Sequence, residues 1–174
     1  APGHGLSSGK FLSVPLYSEV IENFIVRTGK MESIVSHSIG SFSAIYTFYR
    51  NPTLASDNLV TLASPGEAQE FFDYYARSLS LSEKCIYLIS NRFEDLFQRS
   101  PGYFSAPRFA SSLNVPGLII HDEDDDDTSV SHSKRIHEAW KTSRFIMTKG
   151  FGHNLRSDQV VQEVIRFLRR PSIA

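Results

Sequence analysis

The chain has one cysteine, no long apolar run and almost no net charge, and each shortage removes a class of function. A single thiol, Cys85, cannot close an internal disulfide, and it is too little for a tight Cys/His zinc cluster. In its apolar, helix-like surroundings Cys85 reads as a buried structural thiol. No stretch approaches the roughly 18 consecutive apolar residues of a membrane span, and the segment from Ala1 lacks the layout of a signal peptide. The expected compartment is therefore the cytoplasm. The formal net charge is −1, with basic and acidic residues interspersed. That leaves no basic stripe for nucleic acid and no polybasic patch for a membrane surface. Small neutral or amphipathic substrates suit such a chain better.

What is present suffices for one core. The chain has 174 residues, 41% hydrophobic and 12% aromatic, which predicts a single domain over residues 1–174. Neither internal repeats nor low-complexity linkers interrupt it. Leu16, Val20, Ile21, Phe24 and Ile25 recur near helical spacing and predict an amphipathic helix over residues 15–28, with Pro15 at its start and Gly29 after its end. Residues 58–64, 115–121 and 144–148 read as apolar strands, and residues 131–141 as a helix. Val160, Val161, Val164, Ile165, Phe167 and Leu168 mark a closing helix that Pro171 ends.

The most informative local pattern is Ser36-His37-Ser38-Ile39-Gly40, between the short apolar run Ile34-Val35 and a helix-like stretch over residues 42–49. A strand that reverses sharply into a helix forces the turn residue into a strained backbone conformation, and small neighbours keep helix and strand apart. The hydroxyl of such a turn stands above the sheet beside free helix N–H groups, where developing negative charge is stabilised. Ser38 is therefore the candidate nucleophile. The plainer reading is a polar turn in which Ser38 caps the next helix. Ser36 also stands where the usual pattern has glycine.

Partners for a nucleophile follow in a consistent order. The strand ending at His121 runs into the acidic series Asp122-Glu123-Asp124-Asp125-Asp126-Asp127, and the strand ending at Thr148 is followed by Gly150-Phe151-Gly152-His153. Serine, acid and histidine thus each follow a strand, at the C-terminal ends where open parallel sheets place their sites. A calcium loop is the rival for the acidic run, because Asp122, Asp124 and Asp126 alternate. It fails because the sixth position is Asp127 instead of glycine and the twelfth is Ser133 instead of glutamate. For most members of the run, a solvated loop is the expected state. His132 and His137 lie five residues apart on a predicted helix, a spacing that does not share one face, so no metal is implied.

These motifs, with Ala1-Pro2-Gly3-His4-Gly5-Leu6-Ser7, resemble the α/β hydrolases, whose Asp-x-Pro-Gly-His-Gly-x-Ser loop the opening segment matches in part. The resemblance implies an α/β fold, a mainly parallel sheet flanked by helices. It implies Ser38 as the nucleophile, His153 as the proton carrier and Asp125 as the acid that orients His153. Asp125 lies four residues after His121, the family's common spacing, and a one-residue slip would give the role to Asp124 or Asp126. His4 and His37 fall in loop patterns that shape the pocket's surroundings. The backbone N–H of Ile39 would be one oxyanion donor, and the second would come from a loop upstream of Ala1. The family needs no cofactor for this chemistry. It places a helical cap where residues 66–113 concentrate aromatic side chains between two core strands.

The implied activity is hydrolysis of a carboxylic ester or related small acyl compound through an acyl-enzyme. A serine at the turn argues against haloalkane dehalogenase and epoxide hydrolase relatives, which use aspartate there. Thioesters, lactones, amides and carbon–carbon cleavage stay open. The alternative is a truncated or degenerate, noncatalytic member of the fold that acts as a binding or interaction domain, and it predicts that Ser38 and His153 lie too far apart to hydrogen bond or that the pocket is open where the upstream loop should be. The pattern's aspartate and the strands before it are absent, so the chain is expected to be the C-terminal part of an α/β-hydrolase fold. The strand before Ser38 should then lie on an exposed sheet edge, a surface open to self-association.

Overall fold

Four parallel strands, each linked to the next by a helical crossover, form the centre of the computed structural model, which describes residues 1–7 and 9–169. The elements run α1 (Val14–Thr28), β1 (Met31–His37), α2 (Ile39–Arg50), β2 (Ser56–Leu62), α3 (Ala68–Ser78), α4 (Glu83–Phe97), α5 (Ala106–Ala110), β3 (Gly117–Asp122), α6 (Val130–Ala139), β4 (Ser143–Thr148) and α7 (Asp158–Leu168). Strand order in the sheet is β1-β2-β3-β4. The expected fold class holds. Pro171, expected to end the last helix, lies outside the described residues.

Alternation along the strands divides the core in two. Leu59 and Ile119 face one layer with Phe42, Ile45, Phe109 and Ile136, where α1, α2, α5 and α6 pack in succession. Their neighbours Val60, Leu118 and Ile120 face Val160 and Phe167 of α7 on the other side. A strand buried on both faces reads as a continuous apolar run, which is why β3 was conspicuous in the sequence. Helix α1 begins as expected, with proline in its first turn and the Ser13 hydroxyl accepting from the Leu16 N–H at 3.2 Å. It ends at Gly29, whose φ of 87° suits glycine.

Strand β1 pairs with β2 alone among the described residues, leaving its other edge open. Val35, on the α7 side of that strand, is 50% exposed. The exposed edge expected from the sequence is therefore present.

The excursion between β2 and β3 is closed at its base. Glu67 and Ser105 form an antiparallel bridge, flanked by the Ala68 N–H on the Phe104 carbonyl at 3.0 Å and the Ala106 N–H on the Gly66 carbonyl at 2.7 Å. Beyond that neck, α3 and α4 bury none of their residues fully. Phe93 and Phe97 of α4 pack partly against the core, while Tyr87, Leu88 and Ile89 remain exposed. Cys85 shares that outer position and is exposed, so the buried structural thiol read from the sequence is corrected. Its apolar neighbours marked an amphipathic helix lying on the outside, not a core helix. By contrast α5, within the same stretch of sequence, is core: Ala106, Phe109 and Ala110 are buried.

Trp140 locks the start of β3 against the end of α6. It is fully buried, and its indole N–H donates to the Val115 carbonyl at 3.0 Å. A Cβ on Gly117 would stand 2.4 Å from the indole ring, so only glycine lets the strand pass this close. Replacing Gly117 by alanine should lower unfolding stability by about 1–3 kcal/mol, read as a lower urea midpoint at unchanged slope. A midpoint equal to wild type would show that the indole shifts freely.

Candidate active site

The turn from β1 into α2 places Ser38 at φ 52° and ψ −127°, a left-handed conformation that costs a non-glycine residue about 1–3 kcal/mol. The Ser38 N–H donates to the Leu62 carbonyl at 2.8 Å and its carbonyl accepts from the Ser41 N–H at 2.9 Å, so backbone pairing on both sides holds the turn. Its side chain does not cap α2. Instead the hydroxyl stands 3.0 Å from Nε2 of His153. Ser36, where a glycine was expected, fits because its hydroxyl donates to the Val60 carbonyl of the neighbouring strand at 2.9 Å.

The loop after β3 sorts the acidic run by burial. Asp122 and Asp125 are buried, whereas Glu123, Asp124, Asp126 and Asp127 are exposed, as expected for most of the run. Asp125, not Asp124 or Asp126, meets His153, with Nδ1 at 2.9 Å from one carboxylate oxygen and 3.1 Å from the other. The Thr128 N–H at 2.8 Å, the Asp127 N–H at 2.9 Å and the Thr128 hydroxyl at 3.0 Å also donate to Asp125. Burial pushes this carboxyl up, but the bonds from Thr128 and His153 outweigh it and hold it below the usual range.

Two further side chains, to which the sequence assigned no role of their own, fix this geometry. His121 is fully buried, with Nε2 at 3.1 Å from Asp125 and 2.9 Å from the Thr128 carbonyl, and Nδ1 at 2.7 Å from the Ser133 hydroxyl. Both partners of Nε2 are acceptors, so Nε2 carries the proton and Nδ1 accepts from Ser133. Burial lowers the pKa of His121, which favours that neutral form. Asp122 clamps the other loop. It accepts from the Thr148 hydroxyl at 2.7 Å and from the N–H groups of Asp124, Gly150 and Phe151, each at 3.1 Å. Gly150 and Gly152 adopt φ values of 85° and 57°, which lets the chain turn back toward Ser38. His37 completes the frame by donating from Nε2 to the His153 carbonyl at 2.8 Å. The signal for Asp122 was its place at the end of a strand buried on both faces, which distinguishes it from the exposed members of the run.

Ile39 opens α2, so its N–H has no acceptor within the helix and lies beside Ser38. A groove of about 690 Å³ runs between α1 and the free edge of β1, reaching Ser38 and bordered by His4. A second cavity, of about 370 Å³, adjoins Ser38 and His153 and is lined by Ala68, Phe71 and Tyr75 of α3. The helix histidines separate as their spacing implied: His132 accepts from the Gly66 N–H at 3.1 Å, and His137 meets Ser143 at 2.8 Å. Among the described residues, Asp125, Asp127 and His153 bring potential metal-ligating atoms within 4.8 Å of one another. Two of the three already bond to each other.

The lowered carboxyls predict how stability follows pH. Asp122 is also held below the usual range, its burial being outweighed by bonds from Thr148, Phe151 and Asp124. Both groups bind a proton more readily unfolded than folded, so their stabilisation is complete above the ordinary carboxylate pKa and is lost as pH falls through the lowered folded value. Unfolding free energy should drop between about pH 5 and pH 2, and Asp122→Asn should flatten that drop while costing about 2–3 kcal/mol at pH 7. Denaturation at several pH values checks this, and an unchanged slope in Asp122→Asn would contradict it.

No family model and no curated protein sequence matches this chain. Solved structures do. A bromoperoxidase from Bacillus anthracis superposes with a TM-score of 0.70 at 15% identity, over 97% of this chain and 79% of its own. A meta-cleavage product hydrolase from Pseudomonas fluorescens IP01 gives 0.65 at 18% identity, over 95% and 76%. An esterase from a Rhodococcus species gives 0.66 at 17% identity, over 95% and 77%. Together with the parallel sheet and its helical layers, these similarities establish that the chain has the fold of the α/β hydrolases.

Proposed function

We propose that this chain is a serine hydrolase that cleaves a carboxylic ester or related small acyl compound through an acyl-enzyme. The observation that carries the reading is the continuous chain of contacts from the Ser38 hydroxyl to His153 Nε2 at 3.0 Å and from His153 Nδ1 to Asp125 at 2.9 Å. The noncatalytic alternative expected these groups out of reach of each other or the pocket open where an upstream loop should lie; the 3.0 Å contact favours catalysis, while the groove along the free edge of β1 does reach Ser38. The esterase and meta-cleavage hydrolase among the similar structures make hydrolysis a consistent chemistry, though at their identity they speak only for the fold.

In this mechanism the Ser38 oxygen attacks the substrate carbonyl carbon while its proton passes to His153 Nε2. The carbonyl π bond becomes an oxyanion beside the Ile39 N–H. As the carbonyl re-forms, the bond to the leaving group breaks and that group takes the proton from His153. Water then adds to the acyl-enzyme with His153 again accepting the proton, and release of the carboxylic acid restores the Ser38 hydroxyl. Asp125 holds the imidazole so that Nε2 faces Ser38 and stabilises its cation. The sharp turn at Ser38 holds the nucleophile ready without a rearrangement.

The neck at Glu67 and Ser105 makes the excursion carrying α3 and α4 a candidate cap over Ser38, with Phe71 and Tyr75 of α3 lining the adjoining cavity. No helix among the described residues is long and apolar enough to cross a membrane. We assign the protein to a small-molecule substrate in the cytoplasm, without a cofactor. Hydrolysis of p-nitrophenyl butyrate is the direct test. Ser38→Ala and His153→Gln should each lower kcat by about 10³-fold or more, and Asp125→Asn by about 10²–10⁴-fold. Ser38→Ala that hydrolyses as fast as wild type would refute the assignment.

A further inference from the structure

The cavity beside Ser38 is small, apolar within and negative at its mouth. We propose that it selects compact acyl groups without a second negative charge, with Asp127 as the residue that rejects acyl groups bearing another carboxylate. This rests on the serine-hydrolase reading above and goes beyond it by naming a substrate class.

Three features of the molecule lead there. First, the cavity measures about 370 Å³, near the lower end of small-molecule sites, and Val14, Ile39, Phe42, Pro65, Ala68 and Phe71 line it. Such walls offer an acyl chain dispersion contacts and offer a charge nothing. Second, among the described residues no lysine or arginine lines it, so a carboxylate entering with the substrate would find no cation there to replace its water. Third, Asp127 stands at the rim with a carboxylate oxygen within 4.8 Å of a ligating atom of His153 and of Asp125. Its backbone N–H is tied to Asp125, which fixes the residue against the site, while its side chain is exposed.

The adjoining cavity, about 660 Å³, shares Phe71, Tyr75 and Asp127 with the first. It adds Glu70, Asp73 and Asp126 against Arg77 and His132, so the field at the entrance keeps its negative sign. Glu70 is engaged with Arg135 at 2.8 Å, which leaves Asp73, Asp126 and Asp127 as its main unpaired contributors among these lining residues. An approaching neutral ester meets no penalty from these charges. An ester whose acyl chain ends in a carboxylate meets repulsion before it reaches Ser38.

A matched pair of esters tests the proposal: p-nitrophenyl butyrate and p-nitrophenyl hemisuccinate, which differ at the end of the acyl chain. The expected result is a kcat/KM ratio favouring butyrate by about tenfold or more at low salt, shrinking as ionic strength approaches about 1 M. Asp127→Asn should narrow the ratio by about three- to tenfold, and Asp127→Lys should narrow it further. Since Asp127 is exposed, neither variant should disturb folding, and a far-UV spectrum verifies that. Phe71→Ala should shift preference from butyrate toward octanoate, as expected if Phe71 limits acyl length. Equal rates on the paired esters, or a ratio indifferent to both Asp127 variants, would overturn the proposal while leaving the hydrolase reading intact. If neither ester is cleaved above the Ser38→Ala background and a fluorophosphonate leaves Ser38 unmodified, the hydrolase reading falls and takes this proposal with it.

Discussion

Parallel pairing of the four strands is the constraint from which the site follows. It brings the C-terminal ends of β1, β3 and β4 to one side of the sheet, and those ends carry Ser38, the Asp122–Asp125 loop and the His153 loop. Ser38 and His153 are 115 residues apart in the chain, yet their side chains meet at 3.0 Å. Antiparallel pairing at any one step would send one of these loops to the opposite end. The apolar residues of β2 and β3 hold the register that brings these loops together.

Polar groups then refine what the sheet positions roughly. Asp122 draws the His153 loop onto the end of β3, and Asp125 lies between two histidines with different tasks. His121 is held in the interior, where burial lowers its pKa, while His153 reaches the solvent-facing side and Ser38. A buried carboxylate with this many donors is costly to rearrange, because any lost partner leaves a desolvated group behind. Strain at Ser38 is carried in the same way: the Leu62 carbonyl and the first turn of α2 hold a backbone conformation that serine would not adopt alone.

Much of this was legible in the sequence because the motifs lie at element boundaries. The Ser36–Gly40 pattern marked the strand-to-helix turn, and the apolar runs ending at His121 and Thr148 marked the strands that carry the acidic loop and Gly150-Phe151-Gly152-His153. The family's four-residue spacing from His121 pointed to Asp125, and the structure brings that residue to His153. What separates it physically from Asp124 and Asp126 is burial, which depends on the fold of the loop around Thr128. Asp122 ends the doubly buried strand β3, but its clamp on the Thr148 hydroxyl and the N–H groups of Gly150 and Phe151 comes into being only when β3 and β4 pair. Cys85 was misread because an amphipathic helix carried on the outside of the domain has the same local composition as one in the core.

Activation of Ser38 is read most directly from the site of covalent modification by diisopropyl fluorophosphate, mapped by peptide mass spectrometry. An activated nucleophile requires the Ser38–His153 contact, so one diisopropylphosphoryl adduct is expected, on the peptide containing Ser38, lost when His153 is replaced by glutamine. An adduct spread over other serines, or a Ser38 that stays unmodified while the fold is intact, would contradict it.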